Sequence, residues 1–191
     1  MLLLARRVGV LRARDLASAR VPREYLRRLC EAGELVQVGR GLYVLPSAHA
    51  TEHHALAQAS TRVPRGVVCL LSALHFHGLT TRAPREVWLA IDPKAHRPIV
   101  HQPPLRVARF SGVARTMDIE THSIEGVDVC VYGAAKTVVD CFKYRSKLGL
   151  DVALEALRAF KRVRPGGMDD LSRAASACRI ATVLRPYLEA L

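Results

Sequence analysis

At 191 residues the chain is long enough for one medium packed unit or two small ones. Half of its residues are hydrophobic, which excludes wholesale disorder. A formal net charge of +12 and a pI near 10.2 argue for a polyanionic partner, of which nucleic acid is the commonest; charge serving solubility alone is the plainer alternative.

Five cysteines, Cys30, Cys69, Cys130, Cys141 and Cys178, are odd in number, far apart and set in apolar stretches. Without a C-x-x-C pair they suit neither a disulfide framework nor a zinc ribbon, and they read as buried thiols of a reducing cytoplasm. The opening Met1-Leu2-Leu3-Leu4-Ala5-Arg6-Arg7 places apolar residues before the charges, the reverse of a signal peptide. No apolar run is long enough to span a membrane, so a cytoplasmic protein without a membrane partner is expected.

The first elements read as a short helix over 2–8, closed by Gly9, and a second over 13–19 anchored by Leu16. A helix beginning so near Met1 suggests a native first helix that is longer at its N-terminal end. Arg20-Val21-Pro22 breaks the chain, with Pro22 suited to open a third helix. There Leu26, Leu29 and Cys30 fall at i, i+3, i+4 and form a buried stripe. Gly33 caps that helix. Two β runs come next, 35–38 and 42–45, joined by Gly39-Arg40-Gly41 as a hairpin.

Helix, helix, turn, helix and hairpin is the order of a winged helix-turn-helix, whose third helix enters the major groove while the hairpin lies against the backbone. With the stripe inward, Arg23, Glu24, Arg27, Arg28 and Glu31 face out, and Arg23 and Arg27 share one face. Arginine suits base reading because its planar fork grips guanine O6 and N7 together. Arg12, Arg14 and Arg20 precede the helix and are candidate phosphate contacts. Gln37 on the hairpin and Arg40 at its tip complete the candidate DNA-binding set. Residues 1–46 hold nine arginines against four carboxylates, net +5, whereas the longer remainder carries only +7. A solvated helix face in a protein-interaction winged helix is the competing reading.

Beyond a linker over 47–51, residues 52–191 read as a second unit. Helices are expected over 52–61 and 68–76, then strands over 86–91, 105–110, 118–123 and 127–131. Helices over 134–144, 150–162 and 168–184 complete the chain, with Pro186 ending or kinking the last. The expected class is α+β: an N-terminal winged helix-turn-helix, then a larger α+β unit with a small sheet and C-terminal helices.

No catalytic or metal constellation stands out, and no cofactor is expected. His53 and His54 are adjacent, and His75 and His77 are two apart on an expected helix, so neither makes a good ligand pair. Glu86, Asp92 and Lys94 around one strand are the nearest approach to a metal-dependent nuclease site, though Asp92-Pro93-Lys94 reads better as a turn. Phosphate-binding glycine loops and nucleophile elbows are missing. Lys136 and Asp140, four apart on a helix, read as an intrahelical ion pair.

Four segments carry a family resemblance. Arg40-Gly41-Leu42-Tyr43-Val44-Leu45-Pro46 resembles the wing that closes the N-terminal domain of AbiEi-type antitoxins. Residues 72–80 (SALHFHGLT), 136–142 (KTVVDCF) and 186–191 (PYLEAL) are similar to three later segments of that family, in the same order. The resemblance implies a bacterial repressor of its own type IV toxin–antitoxin operon, binding inverted repeats in the promoter. It also implies a nucleotidyltransferase-like toxin as genetic partner, neutralised without stable binding. Two departures are a clipped first helix and Val21 where a Ser or Thr cap is expected, a cap worth about 1 kcal/mol.

Overall fold

A computed structural model describes residues 2, 5, 11–12, 22, 24–45 and 52–190. Of the first expected helix only Leu2 and Ala5 fall within it, both helical. The second expected helix and the 47–51 linker lie outside the described residues. The chain is α+β. Its elements are β1 (Leu11–Arg12), α1 (Glu24–Glu31), β2 (Val36–Gly39), β3 (Leu42–Val44), α2 (His54–Arg62), β4 (Val67–Val68) and α3 (Leu70–Phe76). Then come β5 (Val87–Ile91), β6 (Leu105–Arg109), α4 (Val113–Thr116), β7 (Ile119–Ile124), β8 (Val127–Tyr132) and α5 (Ala134–Lys143). The chain closes with α6 (Arg145–Leu148), α7 (Leu150–Val163), α8 (Met168–Ala177) and α9 (Ala181–Glu189).

The third helix of the sequence reading is α1. Leu26 is buried on it, while Leu29 and Cys30 are half-buried. Gly33 adopts φ +70, the left-handed conformation that glycine takes without penalty, and Glu34 N–H returns to Leu29 O at 2.8 Å to close the end. The hairpin β2–β3 pairs antiparallel about Arg40-Gly41, with Gly41 at φ +74. Strand β1, absent from the sequence reading, adds to β3 and gives an antiparallel sheet of order β1-β3-β2. Ala5, Leu11, Leu26 and Leu35 form a small core behind α1. Leu42 and Val44 face the other way and belong to a second buried cluster, whose further members include Leu56, Ala57 and Ala59 of α2, Leu89 of β5 and Val129 of β8. The inner face of the wing is thus continuous with the second core.

That second sheet has five strands in the order β6-β5-β4-β8-β7, with β5–β6 and β4–β8 parallel and the other pairs antiparallel. Strand β5 is buried at all five positions, as expected of a strand covered on both faces. Helices α5, α7 and α8 pack together around the largest core, built on Leu74, Trp88, Val138, Phe142, Leu157, Phe160 and their neighbours.

Three expectations are corrected. The apolar run from Val67 is not helical throughout: Val67 and Val68 form β4 at the centre of the sheet, Cys69 is extended, and the helix begins at Leu70. The backbone demand of two neighbouring strands overrides the local helical pattern. The single helix expected over 168–184 is two, broken where Arg179 takes φ +58 and Ile180 N–H bonds Ala175 O at 2.9 Å. Pro186 does not end the last helix, which continues to Glu189.

Lys136 and Asp140 do pair along α5, but wholly inside the protein, at 0% and 1% exposure. The Lys136 ammonium lies 4.8 Å from the Phe110 ring centre and 4.3 Å from that of Tyr132. Asp140 Oδ1 has no hydrogen-bond partner. Burial pushes the Asp140 carboxyl up to about 6, against the opposing pull of Lys136.

Candidate nucleic-acid interface

Because Leu26 fixes which side of α1 turns inward, Glu24, Tyr25, Arg27, Arg28 and Glu31 are left in solvent. Side-chain exposure is 73% for Arg27 and 63% for Arg28, so both guanidinium groups are available. Each also has a carboxylate one turn away: Arg27 Nε lies 3.6 Å from Glu31 Oε1, and Arg28 Nη2 donates to Glu24 Oε1 at 3.1 Å. Exposed helical pairs of this kind are worth about 0.3–0.5 kcal/mol. A bidentate contact to guanine is worth about 1–3 kcal/mol, so it would displace them.

The wing presents a second set. Arg40 is exposed at the turn and has no ion-pair partner among the described residues. Gln37 is exposed on β2, opposite Tyr43, and its amide donates back to Gly39 O at 3.2 Å, bracing the turn. Arg12 sits on β1 opposite Leu42, half-buried and already engaged by other groups. Arg14, Arg20 and Arg23 lie outside the described residues. The structure therefore places Arg27 and Arg28 next to each other on the exposed surface of α1 and Arg40 with Gln37 on the hairpin.

Tyr25 is a surface group that the charge-based reading of the sequence passes over. It is 50% exposed, with the Arg28 guanidinium 5.9 Å from its ring centre. Its position one residue before the buried Leu26 is the available signal, since that places it off the apolar stripe.

The remaining candidate chemistry is accounted for by local contacts. Asp92 accepts from the Lys94 backbone N–H at 2.8 Å and pairs with Arg115 at 3.4 Å; Glu86 pairs with Arg106 at 3.3 Å. The sequence Asp92-Pro93-Lys94 is the turn leaving β5. His54 Nδ1 meets Glu125 Oε2 at 2.6 Å, and His77 Nε2 donates to Tyr132 O at 2.7 Å. Burial pushes the His77 imidazole down from its ordinary value. Among the described residues no three of His, Cys, Asp or Glu converge as a metal ion would require. The five cysteines are free thiols, three of them buried. No described helix is long and apolar enough to cross a membrane.

No curated protein matches the chain. Residues 1–46 match the family described as transcriptional regulator, AbiEi antitoxin; the match ends there and does not bear on the three motifs further along. The segment that carries the exposed helix and the hairpin is thus similar to the AbiEi antitoxins, a family of transcriptional regulators, as the motif over 40–46 indicated.

Proposed function

We propose that the chain is a sequence-specific double-stranded DNA-binding repressor, without enzymatic activity, that autoregulates a toxin–antitoxin operon as its antitoxin. The observation that carries this reading is the pairing of α1, with Arg27 and Arg28 exposed opposite the buried Leu26, and a glycine-turned hairpin with Arg40 at its tip. A helix with exposed cations on its outer face fits the major groove, and the adjacent wing fits the flanking phosphates. Arg27 and Arg28 are assigned to base edges; Arg40, Gln37 and Arg12, with Arg14 and Arg20, to the backbone. Arg23 joins the base-reading group. The net charge of +12 supports a polyanionic partner.

Residues 1–46 then form the DNA-binding unit and 52–191 the unit that supports antitoxicity. The target is a set of inverted repeats in the chain's own promoter, in the cytoplasm. The genetic partner is a nucleotidyltransferase-like toxin, countered without a stable complex. Footprinting of the purified chain on the DNA upstream of its own gene tests the proposal. Protection of paired repeats at about 0.15 M salt is expected, with affinity some 10³-fold or more above that for scrambled duplex. Equal affinity for both duplexes would overturn it.

A further inference from the structure

The wing turn is not held by its own strands alone. Arg62, in the last turn of α2, reaches up beneath it: a methyl group placed at Gly39 would overlap Nη2 of Arg62 and lie 3.1 Å from its Cζ. With glycine there the guanidinium can lie against the turn; any larger residue would push that end of Arg62 aside. Arg62 is half-buried, and its Nε is buried with no hydrogen-bond partner. Its guanidinium has no carboxylate among the described residues. A cation partly withdrawn from water and left without a counter-charge costs free energy, unless a ligand supplies the charge. Arg65, three residues on and so within about 11 Å along the chain, lines a cavity of about 350 Å³ with Lys94, His96 and the ion pair of Arg115 with Asp92, so the surface past Arg62 is basic but not free of carboxylate.

We propose that Arg62 belongs to the DNA interface: it seats the wing turn through Gly39 and supplies a phosphate contact beside Arg40. The ligand is the sugar–phosphate backbone of duplex DNA, so the contact carries no base preference. The inference rests on the DNA-binding reading above and adds a contact from the helix next in the chain after the hairpin. It gives a role to the buried cluster that Leu42 and Val44 share with residues of α2. A wing that swung freely would not keep Arg62 and Arg40 on one phosphate track.

The test is a salt titration of the full chain on its promoter duplex and on a scrambled duplex. For Arg62→Gln the slope of log K against log[salt] should be shallower by about 0.9 on both duplexes, the value for a single phosphate neutralised. The discrimination between them should be unchanged. Arg62→Lys, which keeps the charge, should restore the slope; a merely structural role for Arg62 would not produce that rescue. Circular dichroism and thermal melting check the fold of each variant. Should Arg62→Gln not fold, Gly39→Ala carries the test: its methyl group displaces the guanidinium end and should shallow the slope similarly. An unchanged slope in a folded Arg62→Gln or Gly39→Ala overturns the inference. A wild-type chain with no salt-dependent binding would instead sink the functional reading beneath it.

Discussion

Removing both members of the buried Lys136–Asp140 pair should cost far less than the sum of removing each alone. The ammonium and carboxylate are both essentially unexposed, and the ammonium also contacts the Phe110 and Tyr132 rings. Lys136→Met leaves the carboxylate without its paired ammonium, with only the more distant pull of Lys143 and with Oδ1 already unpartnered. Orphaning a buried charge typically costs about 3–5 kcal/mol. The low end applies here, about 3 kcal/mol, because the carboxyl can escape by taking up a proton. Asp140→Asn should cost somewhat less, about 2 kcal/mol, since the amide oxygen still accepts from Nζ and desolvated ring contacts contribute about 2 kcal/mol. The double variant Lys136→Met/Asp140→Asn removes both charges, and its cost should fall well short of the sum of the two. The assay is urea unfolding monitored by circular dichroism at pH 7, then at pH 5. Without Lys136 the folded carboxyl should titrate even higher than about 6. A raised folded value favours the fold below the unfolded value near 3.8, and that advantage disappears as pH rises through the folded value. The Lys136→Met penalty should therefore be largest at pH 7 and shrink toward pH 4. A single-variant cost under about 1 kcal/mol, or strict additivity, would refute the reasoning.

Single residues elsewhere give further expected outcomes. Arg27→Ala should cost about 1–3 kcal/mol in operator binding and narrow the gap to scrambled DNA, whereas Arg40→Ala should weaken both duplexes alike; competition titrations on the two duplexes separate these. Gly133→Ala should change stability by less than about 1 kcal/mol in denaturant titration, because the overlap its methyl would make is with the carboxylate of the exposed Asp118, which can swing aside, and Gly133 stands at φ -59, open to alanine. Arg179→Gly should raise stability by about 0.5–1 kcal/mol in thermal melting, since Arg179 stands at φ +58 where glycine has no Cβ penalty.

What the sequence discloses depends on how local the determining forces are. The stripe on α1, its glycine cap and the Gly39-Arg40-Gly41 turn are set within a few residues, so their periodicity and turn chemistry are readable. So is the exposure of Arg27 and Arg28, which is dictated by where Leu26 points, and that of Arg40, which follows from its place in the hairpin turn. Strand β4 is not readable. It is two residues inside the apolar run Val67–Leu74, and periodicity cannot separate a buried strand from a buried helix there. The break at Arg179 carries neither glycine nor proline, so no punctuation marks it. The i,i+4 spacing of Lys136 and Asp140 looks the same on a wet or a dry helix face; only the packing of α5 beneath Phe110 and Tyr132 makes it dry. The contact of Arg62 with Gly39 joins residues 23 positions apart and has no local signature.

The central claim, that the face of α1 reads duplex DNA, is tested most directly by measuring wild-type and Arg27→Ala binding to promoter and scrambled duplexes across a salt series. Strong, salt-dependent wild-type binding with promoter preference of some 10³-fold or more is expected, with a marked loss of that preference in Arg27→Ala. Equal wild-type affinity for the two duplexes, or full preference retained in Arg27→Ala, would contradict it.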